Sequence, residues 1–150
     1  MAVAAKLSVH VGEGGDAMRI DGACHCGTIR FEAEVEEGEV HLCHCTDCQS
    51  LTGTAFRTSV PARRGTLRFT AGEPKVYVKT AANGRHLAQH FCSTCGSPLM
   101  VRYEDDPDGW SLRWGAIRQR DALQPSLSIW LHSAAPWLDR IPDLPGHDRD

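Results

Sequence analysis

No apolar run in this sequence approaches the roughly 20 residues that span a bilayer, so no membrane helix is expected. Strong charge of either sign is also lacking. Sixteen Lys and Arg against nineteen Asp and Glu leave a formal charge of −3, which gives no general attraction to nucleic acid or to an anionic membrane. The local basic pair Arg63-Arg64 is too little to build a nucleic-acid-binding face. The opening stretch MAVAAKLSVHVGEGGDAMR has one lysine and no sustained apolar core, so no secretory leader is expected and the chain reads as cytoplasmic. No segment repeats at the period of about 20–50 residues that marks a solenoid. A chain of 150 residues, 41% of them hydrophobic, suits one domain with a core of its own.

What is present is mostly strand pattern. In Thr28–Val35, Ile29, Phe31, Ala33 and Val35 alternate with Arg30, Glu32 and Glu34, the period of a half-buried strand. A turn at Glu36–Glu39 leads into a second strand that runs to Cys43. Short apolar or alternating runs recur at Thr54–Val60, Thr66–Phe69, Lys75–Lys79, His86–Phe91, Leu99–Tyr103 and Trp110–Trp114. Gly, Pro and Asp cluster between them. Seven or eight short strands at this spacing imply a mainly β fold of small packed sheets. The Gly/Asp-rich stretch Gly12–Asp16 marks residues 1–17 as a flexible arm, ahead of a domain over 18–140 and a tail over 141–150. One short helix is expected: Thr46 as N-cap with Gln49 three residues on, and Gly53 as its end. Cys45 and Cys48 then lie at the helix start, where unpaired N–H groups favour thiolate over thiol.

Seven cysteines and eight histidines are the compositional anomaly. An odd cysteine count in a chain of this size argues against a disulfide framework and for metal binding. The cysteines form three clusters: Cys24-His25-Cys26, Cys43-His44-Cys45-Thr46-Asp47-Cys48 and Cys92-Ser93-Thr94-Cys95. Two divisions are open. Cys45 and Cys48 with Cys92 and Cys95 would make a zinc ribbon, at a spacing far longer than the usual loop of about 15–20 residues. Alternatively Cys24, Cys26, Cys92 and Cys95 close a four-thiolate structural site, and Cys43, Cys45 and Cys48 hold a second metal with its fourth position open. The second division uses every cysteine and is preferred. Thiolate-rich donors favour zinc at both sites, the second being the more readily lost. His25 and His44, each between cysteines, are expected to support the sites rather than ligate. His41, His86 and His90 read as strand residues, and His10 and His147 lie near the termini.

Three stretches resemble one known family. Gly22-Ala23-Cys24-His25-Cys26-Gly27-Thr28-Ile29-Arg30-Phe31, Cys43-His44-Cys45-Thr46-Asp47-Cys48-Gln49 and Phe91-Cys92-Ser93-Thr94-Cys95-Gly96-Ser97-Pro98-Leu99 are similar to the glutathione-dependent formaldehyde-activating enzymes, a family that includes the centromere protein V-type domains. The likeness covers about residues 18–140, with Gly53, Thr54, Phe56, Ser128-Ile129-Trp130 and Ala135-Pro136-Trp137 also in keeping. It implies a zinc-stabilised β-tent of small antiparallel sheets with one short helical turn. It also implies a structural zinc on Cys24, Cys26, Cys92 and Cys95, and a catalytic zinc on Cys43, Cys45 and Cys48.

The activity so implied is carbon–sulfur lyase chemistry, forming or breaking a thiol–aldehyde adduct such as S-(hydroxymethyl)glutathione, with glutathione and formaldehyde as partners. Arg57, Arg63, Arg64, Arg85 and Arg102 read as solvated surface arginines rather than glutathione contacts. Trp130 and Trp137 suit either a pocket wall or packing over the sheet. A noncatalytic zinc module that binds protein is the alternative, and a redox-sensing cluster is a more distant one.

Overall fold

The computed structural model describes residues 16–149. Its strands are β1 (Ala17–Ala23), β2 (Arg30–Glu36), β3 (Val40–Cys43), β4 (Arg57–Pro61), β5 (Arg68–Ala71), β6 (Lys75–Thr80), β7 (His86–Phe91), β8 (Pro98–Tyr103), β9 (Ser111–Arg113) and β10 (Pro125–Ile129), with one α-helix, α1 (Thr46–Thr52). They form a three-stranded sheet in the order β1-β2-β5 and a seven-stranded sheet in the order β10-β3-β4-β9-β8-β7-β6. The fold is mainly β, as the alternation implies.

Two strands escape the sequence pattern. β1 has only Met18 and Ile20 as large apolar residues, and β10 opens on a proline. β10 also departs from the expected antiparallel pairing: it runs parallel to β3, with Leu127 beside His41 and Ile129 beside Cys43. Ala17, assigned to the flexible arm from sequence, is the first residue of β1. The rest of that arm through residue 15, with His10, lies outside the described residues. No helix among the described residues is long and apolar enough to cross a membrane.

Strand alternation explains how the sheets meet. In the small sheet Met18 pairs with Val35, Ile20 with Ala33 and Gly22 with Phe31, and directly opposed residues share a face. That face is apolar and joins the core, while Arg30, Glu32 and Glu34 point outward, Glu32 holding Arg68 at 2.6 Å. In the large sheet Val60, Leu112 and Met100 line up across β4, β9 and β8 and complete the same core. The opposite face of the large sheet therefore has no part in that core. It carries His41, Cys43, Arg57, Ser59, Ser111, Arg113, Val101 and Gln89, and it forms the floor of the site.

The small sheet sits close to the chain beyond β9, and Gly22 bridges to Ile117 there. A Cβ at Gly22 would run into the ring of Phe31 and the carbonyl oxygen of Ala116. Gly22→Ala is expected to lower stability by about 1–3 kcal/mol, the usual cost of overpacking. A urea denaturation series comparing the two proteins measures this, and equal midpoints would refute it.

Candidate functional site

The first cysteine group joins two turns. Cys24 ends its part of the chain just after β1, and Gly27 donates to the Cys24 carbonyl at 3.0 Å; Gly96 does the same to the Cys92 carbonyl at 2.9 Å. Both glycines are left-handed, at φ 77° and 78°, which a residue with a Cβ adopts only at a cost. The two turns bring Cys24, Cys26, Cys92 and Cys95 together with all four sulfurs within 4.8 Å of one another. Cys24 and Cys26 lie 3.5 Å apart, and Cys26 and Cys92 3.8 Å. Both are far beyond the ~2.05 Å of a disulfide. They match the roughly 3.8 Å edge of a tetrahedron whose metal–sulfur bonds are ~2.3 Å.

Support for these sulfurs is local. The Ile29 amide donates to the Cys24 sulfur at 3.3 Å, and the Thr28 and Ser97 hydroxyls lie 3.1 and 3.2 Å from Cys26 and Cys95. The Ser97 contact is the main cause that pushes the Cys95 thiol down to about 5, and Thr28 lowers Cys26 likewise. Burial raises Cys24. Cys24 and Cys92 belong to the hydrophobic core, whereas Cys26 and Cys95 are exposed, so the group pins the surface turns onto the core. His25 is not among the sulfur neighbours; its backbone N–H donates to Ser97 Oγ at 3.0 Å.

The second group is local in sequence. β3 delivers Cys43, and α1 returns Cys48 to it, with Cys45 between; their sulfurs also lie within 4.8 Å of one another. The helix begins one residue earlier than its capping-box pattern suggests. Cys45 is the N-cap, its sulfur accepting from the Cys48 amide at 3.3 Å, and Thr46 is already helical. Gln49 does not reach back to the cap. Its amide donates to the carbonyls of His44 and Ser133 at 2.8 and 3.0 Å, tying the helix to the C-terminal segment. Gly53 closes the helix in the left-handed conformation, as expected. His44 is buried, its Nε2 2.7 Å from Ser128 Oγ on β10.

Electrostatics favour a thiolate at this group. A hydrogen bond from Cys48, then hydrogen bonds from Cys45 and the charge of Arg57, push the Cys43 thiol down to about 5 against the opposing effect of burial. Cys48, the other member of that hydrogen bond and 1% exposed, is raised. Three sulfurs from one strand end and one helical turn suit a metal held with a position left for another ligand.

A cleft of about 790 Å³ opens over this group. The polar sheet face supplies its floor: His41, Cys43, Arg57, Ser59 and Ser111. Leu87, Val101, Tyr103, Trp110, Ile129 and Trp130 give it apolar walls. Two ion pairs stand in it, Lys79 with Asp47 at 2.8 Å and Arg64 with Asp106 at 2.7 Å. Trp130 lines the cleft at φ 59°, the one non-glycine residue with positive φ among the described residues. Such a conformation costs about 1–2 kcal/mol and tends to persist where the surroundings demand it. Trp137 is 45% exposed and is not among the cleft residues.

The fold brings the seven sulfurs together in the same four and three that the preferred division of the sequence has. Arg57, by contrast, reads as solvated in the sequence, and Arg113 carries no signal there. Both have guanidinium nitrogens that are buried and unpartnered. The signal for Arg57 was its position: Arg57 and Ser59 alternate with Thr58 and Val60 along one strand, which sends the arginine to the face opposite the core.

A family model described as glutathione-dependent formaldehyde-activating enzyme matches residues 19–133. Among curated proteins the chain is similar to a Halomonas elongata protein named "Putative glutathione-dependent formaldehyde-activating enzyme", at 27% identity over 88 residues. That match spans 56% of this chain and 56% of the relative's length. Among solved structures it resembles a Rhodobacter sphaeroides protein, a structural genomics target, with a TM-score of 0.56 at 23% identity over 72% of this chain and 98% of the other.

Proposed function

The chain belongs to the glutathione-dependent formaldehyde-activating enzyme family, and we propose that it is a zinc-dependent carbon–sulfur lyase that forms or breaks a thiol–aldehyde adduct, with S-(hydroxymethyl)glutathione as the reference substrate. The observation that carries this is the division of the cysteines into a closed set of four and an incomplete set of three beneath a cleft.

Cys24, Cys26, Cys92 and Cys95 would hold the structural zinc; Cys43, Cys45 and Cys48 would hold the catalytic one. Zinc in a three-thiolate setting supplies Lewis acidity and lowers the pKa of a thiol that joins it. The protein's own groups do the rest. α1 and β3 fix three sulfurs in one place, so no large rearrangement is needed to assemble the centre. The apolar walls keep bulk water from the reacting atoms. Arg57 places positive charge beside Cys43 and Cys48, and it favours an anionic sulfur at the cleft floor.

In the synthetic direction the substrate sulfur lone pair forms the carbon–sulfur bond at the aldehyde carbon. The carbonyl π pair moves to oxygen, which takes the proton given up by the thiol. The lytic direction reverses each transfer, so no oxidant or reductant is required. The apolar walls suit a small carbonyl compound, while the peptide portion of a tripeptide thiol would extend along the cleft.

The zinc-loaded protein is expected to speed the approach to equilibrium of glutathione with formaldehyde, followed by exchange NMR of the adduct methylene. Rates equal to the buffer blank across thiol and aldehyde concentrations would exclude the assignment.

A further inference from the structure

We propose that Arg57 and Arg113 form a buried anion-receiving pair that takes the carboxylate of a carboxylate-bearing thiol substrate; this rests on the cysteine cleft being the thiol site. Arg57 lies opposite Cys43 across β3 and β4, and Arg113 lies opposite Ser59 across β4 and β9. The three residues Cys43, Arg57 and Arg113 thus share one face of the sheet, in neighbouring strands spaced about 4.8 Å apart.

Among the described residues no carboxylate pairs with these two cations; the opposite charges that act on them are the sulfurs of Cys43 and Cys48. Arg113 is 6% exposed, and its printed partner is neutral: one terminal nitrogen donates to Gln89 Oε1 at 2.7 Å. Its other terminal nitrogen, the Nε and one terminal nitrogen of Arg57, and the Gln89 amide nitrogen are buried without any partner. All of these are hydrogen-bond donors, gathered in one place with no acceptor among them. Neither arginine joins an ion pair, although six other basic residues among those described do.

Burial is the main influence working against the charge on Arg113, and the neighbouring charge of Arg57 adds to it. Two like charges of this kind, one buried and one half-buried, are costly unless an anion joins them.

The surroundings give such a group a way in. Arg57 lines the cysteine cleft and also a second cavity of about 620 Å³, which Arg113 lines with Thr52, Thr54 and Thr58. Asp21, the acidic residue lining that cavity, is already held by Arg118 at 2.6 Å and by Gln119. Guanidinium is suited to the task because its forked donors match the two oxygens of a carboxylate. Arg113 does not line the cysteine cleft, so Arg57, which lines both cavities, is the side chain that a thiol with an acid a few bonds away would meet first. Arg57 and Arg113 are therefore specificity residues for the acid, separate from the sulfur ligands.

Titration calorimetry on the zinc-loaded protein with 3-mercaptopropionate and 3-mercaptopropan-1-ol tests this, since the two differ in carrying an acid or an alcohol. The wild type is expected to bind the acid at least about tenfold more tightly, the gain typical of a charge-assisted hydrogen bond. Arg57→Met and Arg113→Met should bring the two thiols to within about twofold of each other, whatever change in affinity the two thiols share. Arg57→Lys and Arg113→Lys, which retain charge without the fork, should give intermediate preferences and cover the case of a poorly folded Met variant.

Acetate at constant ionic strength provides a readout independent of the thiol site. It should raise the Tm of the wild type and not that of either Met variant. If neither thiol binds but acetate behaves this way, the thiol-site assignment fails and the anion pair stands. Equal acid preference in the wild type and all four variants, or an acetate effect unchanged by substitution, overturns the proposal.

Discussion

If the chain is the zinc enzyme proposed, a Cys45→Ser protein is expected to keep its fold, to drop from about two bound zinc ions per chain to about one, and to lose at least ~100-fold in thiol–aldehyde turnover. The size follows from precedent at metal sites, where even residues that merely orient a ligand are worth roughly 10–100-fold. Cys45 is the informative choice of the three. It is the N-cap of α1, its sulfur accepting from the Cys48 amide, and serine is among the best N-cap residues. The helix start therefore survives the substitution, with a stability change expected to stay below about 1 kcal/mol. Cys48, 1% exposed, offers no such separation because a hydroxyl there would be buried. Elemental analysis, a thermal melt and a rate measurement on one preparation decide the matter. Turnover that survives loss of the second zinc would show that this cysteine group is not the catalytic centre.

Cys92→Ser has the opposite profile, with the fold itself lost. Cys92 is 1% exposed and sits in the core cluster, and its sulfur group holds the turn after β1 against the turn between β7 and β8. A structural zinc site contributes on the order of 10 kcal/mol to folding at neutral pH, while a domain's total stability is about 5–15 kcal/mol. Losing one of four ligands forfeits a large part of that, and it also leaves a buried hydroxyl. The expected outcome is a chain without near-UV circular dichroism at 25 °C, matched by the wild type after exhaustive chelation. A cooperative melt within about 3 °C of wild type, which corresponds to about 1 kcal/mol, would show that the group is not structural.

The sequence carried most of this arrangement where signals were local. The alternation of Phe31, Ala33 and Val35 located β2, and paired cysteines at short spacing foretold both sulfur groups. Where partners are distant, the pattern fell silent. β1 reads weakly because Gly22 faces the ring of Phe31 and has room for no side chain. β10 reads weakly because its Ser126 and Ser128 hydroxyls are used on Gly38, Val40 and His44 in and around β3, a partnership invisible within β10 itself. The capping box at Thr46 misplaced the helix start by one residue because a sulfur served as cap. The arginine pair was hidden for a related reason: an arginine in a strand is normally outward-facing, and only the register across three strands shows that Arg57 and Arg113 converge.

The separation between the two halves of the four-cysteine group has a consequence for biosynthesis. Cys26 and Cys92 are 66 positions apart. A ribosome adding about 5–20 residues per second takes roughly 3–13 seconds to travel from one to the other. Throughout that interval Cys24 and Cys26 wait without their partners, while Cys43, Cys45 and Cys48, emerging within six positions, are already present together. On the proposed assignment, the nascent polypeptide would thus offer its open metal position to the cell before the structural one.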